Sequence, residues 1–120
     1  MATFSKTILS GSTDGRGIKV AATATAGTTL HTGSTTATTL DEIWLYCVNT
    51  SATDVKLTVE WGGVSSPDDH IEYTVKAENG LYLVAPGILI KGNATALIVR
   101  AFAGTANVLV AHGYVNRITA

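Results

Sequence analysis

Apolar and polar residues alternate with a period of two over much of this chain. In Val55–Trp61, Val55, Leu57, Val59 and Trp61 fall on one side, and Lys56, Thr58 and Glu60 on the other. Ile71–Ala77 repeats the pattern, with Ile71, Tyr73, Val75 and Ala77 opposed to Glu72, Thr74 and Lys76. Such alternation predicts strands with one face buried and one wet, in a register that a one-residue slip would invert. Ile43–Val48 differs: Ile43, Leu45 and Cys47 form one face, Trp44, Tyr46 and Val48 the other, and both are apolar. Leu97–Phe102 and Val108–Val115 are similar, interrupted only by Arg100 and His112. A doubly apolar strand is covered on both sides or belongs to a subunit interface, and three of them exceed what a small two-layer fold needs.

Glycine, proline and asparagine divide these segments. Asn49–Asp54, Gly62–Asp69, Lys91–Ala94 and Ala103–Asn107 are expected as turns, and Ala85-Pro86-Gly87 as a strand break, because proline donates nothing to a ladder. No stripe of helical period occurs, and there is no room for the crossover helices of parallel units. The pattern predicts an all-β protein: a single antiparallel β-sandwich or jelly roll. Residues 41–120 carry the core. Residues 1–40, rich in Thr, Ala, Gly and Ser, are expected as an extended arm with edge strands near Phe4–Leu9, Ile18–Thr25 and Thr28–Thr32. Phe4, Ile8 and Leu30 offer that arm anchor points.

Composition sharpens this. A length of 120 residues fits one domain, and 46% hydrophobic residues can build its core. Only 14% of residues are charged, against roughly 25% in an average soluble domain. A surface finished with Thr, Ser, Asn and Gly suits packing against another protein. Net charge is −1 and Lys and Arg are spaced singly, so the footprint that nucleic acid requires is missing. No apolar run approaches the roughly 20 residues of a membrane helix. The opening MATFSKTILSGSTDG has no charged region followed by an apolar stretch, so no signal peptide is read there and synthesis in a cytosol is expected. Asn49-Thr50-Ser51 and Asn93-Ala94-Thr95 match the glycosylation triplet and are better read as turns.

Candidate chemistry is sparse. Cys47, the single cysteine, excludes an internal disulfide and sits where a small buried hydrophobe belongs. His31, His70 and His112 lie in three separate segments, and an enzyme would need at least two of them to converge. Asp68-Asp69-His70 with Glu72 is the densest polar cluster; it is read as a solvated loop rather than a metal site. No G-x-S-x-G elbow and no phosphate-binding glycine loop occur. No catalytic, cofactor-binding or metal-ligating residue is therefore assigned, and no enzyme is expected. A carbohydrate-binding module is the rival among binding functions, with Trp61, at a strand end before Gly62-Gly63, its best exposed aromatic.

Four segments, GRGIKVAATATAGTTLHT, DEIWLYCVNTSATDVKLTVEWGG, GLYLVAPGILIKG and ALIVRAFAGTANVLVAHGYVNRI, follow in that order over most of the chain. This succession resembles small structural proteins of tailed bacteriophages, in particular head decoration or cement proteins. The resemblance implies a β-sandwich on the virion, favouring the capsid surface, that stabilises the shell by bridging subunits of the major capsid protein. It brings no catalytic residues. Tail, neck or receptor-facing virion proteins are the alternative. The expected partners are the major capsid protein or another virion protein, and further copies of the chain itself, a trimer being favoured over a dimer. Phe4, Ile8, Leu30, Trp44, Tyr46 and Trp61 are the candidate contact residues.

Overall fold

A computed structural model describes residues 2–120, which form nine strands and no helix. They are β1 (Thr3–Ile8), β2 (Ile18–Lys19), β3 (Thr28–Thr32), β4 (Leu40–Asn49), β5 (Val55–Trp61), β6 (His70–Val75), β7 (Tyr82–Lys91), β8 (Ile98–Ala103) and β9 (Leu109–Thr119). Two antiparallel sheets pack face to face. The larger runs β1-β9-β4-β7, with β2 also paired to β9; the smaller runs β3-β8-β5-β6.

The inner faces supply one core. Ile43, Leu45 and Cys47 of β4 and Leu109, Ala111 and Val115 of β9 meet Val55, Leu57 and Val59 of β5 and Val99, Ala101 and Ala103 of β8. All are buried, as the alternation predicts. Burial pushes the Cys47 thiol up to about 12, so it packs as a small hydrophobe and carries no thiolate.

Both ends of the buried face of β4 are polar, and both are fully partnered. At one end, Asn49 donates to the carbonyls of Thr53 and Val75 (2.8 and 2.9 Å) and accepts from the Ser51 amide and hydroxyl (2.9 and 2.8 Å). Its triplet is thus a turn whose Asn is wholly buried. At the other end, Asp41 accepts from Arg117 Nε and Nη2 (2.7 and 2.8 Å) and from His31 Nε2 (2.8 Å). The Ser10 amide donates to His31 Nδ1 at 3.1 Å, which leaves the ring proton on Nε2. Burial pushes the Asp41 carboxyl up, but the hydrogen bonds from Arg117 and His31 outweigh it and hold the group below its ordinary value. This cluster joins β3 of one sheet to β4 and β9 of the other.

Three expectations change. Ala85-Pro86-Gly87 does not end a strand: β7 runs through it, with register shifts opposite Ile43/Trp44 and Leu45/Tyr46. An edge strand tolerates this, because its outward amides need no partner in the ladder. Glu60 and Thr58, expected outside, are buried. The chain before β3 folds over Glu60, which accepts from the Thr25 hydroxyl and, at 2.7 Å, from the Gly27 amide. Finally, the edge strands expected in the first forty residues are present, but they are woven into both sheets rather than carried on a separate arm: β1 and β2 pair with β9, β3 pairs with β8, and Leu9, Val20 and Leu30 are core residues.

Candidate interaction face

The sheets expose different outer surfaces. Register places Leu40, Glu42, Trp44, Tyr46 and Val48 of β4 opposite Ile118, Asn116, Tyr114, His112 and Val110 of β9, all on the outer side of the larger sheet. On β1, Phe4, Lys6 and Ile8 pair with Ile118, Asn116 and Tyr114 and so join the same side. On β7, Leu83, Pro86 and Leu89 stand opposite Tyr46, Trp44 and Glu42. The result is a continuous aromatic and aliphatic surface. Its charges are Lys6 and Glu42 near Phe4, and Lys91 and Lys19 opposite Leu40 and Val110, with His112 titratable.

Exposure makes the point. Phe4 is 72% exposed, Leu89 50% and Ile8 47%. In β1 the usual sense of amphipathicity is reversed. Thr3, Ser5 and Thr7 fall on the core side, where Thr7 pairs with buried Val115, while Phe4 and Ile8 point away from it. The second sheet does not reach under β1, since all six of its residues are exposed.

The centre of the face is fixed. Trp44 and Tyr114 stack with ring centroids 6.1 Å apart and planes 10° from parallel. The Lys6 ammonium sits 5.0 Å from the Tyr114 ring centroid, a cation–π arrangement. The Trp44 indole lies over Gly87, where a Cβ would come within 3.0 Å of the ring. Gly87 also has φ of +74°, so this position requires glycine twice over: for its backbone and for the ring above it. Trp44 Nε1 is buried without a hydrogen-bond partner. Beside Phe4, a shallow open depression of about 510 Å³ is lined by Phe4, Ser5, Lys6, Glu42, Asn116 and Ile118.

Of the six candidate contact residues, Phe4, Ile8, Trp44 and Tyr46 meet on this face. Leu30 does not: it is 1% exposed in the core. Trp61 does not either. It belongs to the inward set of β5, is half-buried against the core and has its Nε1 enclosed, so it offers no open platform for a sugar ring. Tyr114, Leu83 and Leu89 are among the members of the face that sequence reasoning left out of the contact set. The signal for Tyr114 was its place in the doubly apolar Val108–Val115, and for the leucines the apolar excess of GLYLVAPGILI.

The three histidines stay apart from one another, although His31 meets Asp41 and His70 lies 4.0 and 3.9 Å from the Glu60 and Glu72 carboxylates. His31 is interior, His70 lies on the outer side of the smaller sheet against Phe102, and His112 is on the larger sheet's outer face. Asp69 closes its own loop by accepting from the Ser65 amide at 3.0 Å, and Asp68 is exposed. Among the described residues, no group of three or more His, Cys, Asp or Glu side chains is arranged to hold a metal ion. Comparison with protein-family models, curated proteins and solved structures found no match.

Proposed function

We propose that this chain is a non-enzymatic structural protein of a tailed-phage virion, a capsid decoration or cement protein. It docks on the shell through the outer face of its larger sheet and bridges neighbouring subunits of the major capsid protein. The observation that carries the docking is the contiguous apolar surface built by Phe4, Ile8, Trp44, Tyr114, Leu83 and Leu89. Exposed apolar patches of this kind mark interaction sites, and aromatic residues at their centre supply most of the binding energy. The virion assignment rests on the resemblance of the four sequence segments to phage structural proteins. Separation of the three histidines supports a role by contact rather than chemistry.

Cosedimentation of the purified protein with expanded shells that lack it tests the reading. The expected result is saturable binding in lattice stoichiometry and a shell that survives more heating. Absence of binding would move the protein to the tail or neck, or out of the virion.

A further inference from the structure

The two main strand paths end in four outer strands, with the two-residue β2 sharing the edge of β1; of the four, three are protected against pairing with another chain while one is open. β3 is covered by the segment that follows β1: the Gly11 amide donates to the Leu30 carbonyl (2.9 Å), and Ser10 Oγ accepts from the Thr32 amide (2.6 Å). β7 is interrupted by two register shifts, Pro86 and left-handed Gly87. β6 carries outward Glu72, paired with Lys56 at 3.1 Å, and its Tyr73 stacks on Tyr82 of β7 at 3.9 Å, closing that side of the sandwich. Charges, prolines, irregularities and covering segments are the devices that keep edges from associating. β1 has a single lysine. It pairs with β9 through six residues without a register shift, contains no proline and is exposed along its whole length.

We propose that β1 is a self-association edge, pairing antiparallel with β1 of a second copy about a two-fold axis at Ser5. The sequence is self-complementary in this register. Thr3 of each copy faces Thr7 of the other, Phe4 faces Lys6, and Ser5 faces Ser5. Hydroxyl-bearing pairs and a lysine beside an aromatic ring are favourable cross-strand neighbours. A shift of the axis to Lys6 would set two ammonium groups opposite each other, which is unfavourable. It would also bring Ile8 into the pairing, where Gly15 of the turn that follows β1 already stands beside it. Because the second sheet does not extend under β1, the incoming strand meets no obstacle there. The product is an isologous dimer with one continuous sheet and two apolar faces side by side. This goes beyond the docking role and holds whatever the apolar face binds.

The pairing predicts which single cysteine cross-links. Only a residue on the two-fold axis meets its own copy at disulfide distance. Ser5→Cys and Lys6→Cys alter exposed side chains in the full chain, and the unaltered protein, whose Cys47 is buried, is the control. Under mild oxidation, Ser5→Cys is expected to form covalent dimers roughly tenfold faster than Lys6→Cys, because pairing raises the effective concentration of its thiol. The control remains uncross-linked. Equal rates for the two variants, or a faster Lys6→Cys, would overturn the proposal.

Discussion

The outer faces of the two sheets are built on the same backbone plan and look nothing alike. On the smaller sheet, the outward residues of β5 and β6 include Lys56, Glu60, Glu72 and Thr74. Its one large aromatic, Phe102, is half-buried with the His70 ring edge-on to it at 6.0 Å. Where that face buries a carboxyl group, at Glu60, a segment of the same chain covers it and supplies donors. On the larger sheet, the outward residues are mostly aromatic and aliphatic, and none of the described residues covers Phe4 or Leu89. Folding constrains only the inner faces, which must fill one core. The outer faces are free to record what each side meets, and the contrast supports the proposal that the larger sheet is the docking side.

Substitutions should separate stability on one side from association on the other. The largest effect is expected inside: Asp41→Ala would leave Arg117 and His31 without their shared acceptor and cost about 3–5 kcal/mol in urea unfolding. The same group sets a pH dependence. Its folded value lies below that of a free carboxyl, so its contribution is complete above about pH 4 and is lost as pH falls through the folded value. The urea midpoint should drop on acidification, and less steeply in Asp41→Ala. Next, Glu60→Ala would strand the Thr25 hydroxyl and the Gly27 amide and cost about 1–3 kcal/mol, without altering association.

Gly87→Ala sits between the two regimes. It forces an L-residue to φ of +74° and pushes against the Trp44 ring, at a cost of about 1–2 kcal/mol. A changed Trp fluorescence spectrum would accompany it. The smallest effect belongs to the exposed ion pair on the smaller sheet: Lys56→Ala should move the urea midpoint by no more than about 0.5 kcal/mol. If it matched Glu60→Ala, the outer side of that sheet would be doing more than facing water.

Much of the fold was legible because inward and outward positions alternate by two. The strands of the core and the two faces of Ile43–Val48 follow from that rule alone. What escaped was set by pairs distant in sequence. Glu60 looks like a solvent residue until the chain 33 residues earlier folds over it. Pro86 looks like a stop until β7 turns out to be an edge. Leu30, in a Thr-rich stretch, looked like an anchor for a partner, yet β3 brings it into the chain's own core. The proposed interaction face was half legible: Trp44 and Tyr46 showed themselves by breaking the alternation, and Phe4 and Ile8 by being apolar in a polar stretch. That these four share one side depends on the register of β9 between β1 and β4, which no local pattern encodes.

The most direct test compares one charge placed on each face. Leu89→Asp and Phe4→Asp alter exposed side chains of the larger sheet, and Thr74→Asp an exposed side chain of the smaller. All three should keep urea midpoints within about 0.5 kcal/mol of the unaltered protein. Affinity for purified expanded shells is then measured for each. The account predicts a loss of about tenfold or more for the first two, roughly 1.4 kcal/mol, and no change for the third. Undiminished binding by Leu89→Asp and Phe4→Asp, or a loss confined to Thr74→Asp, would contradict it.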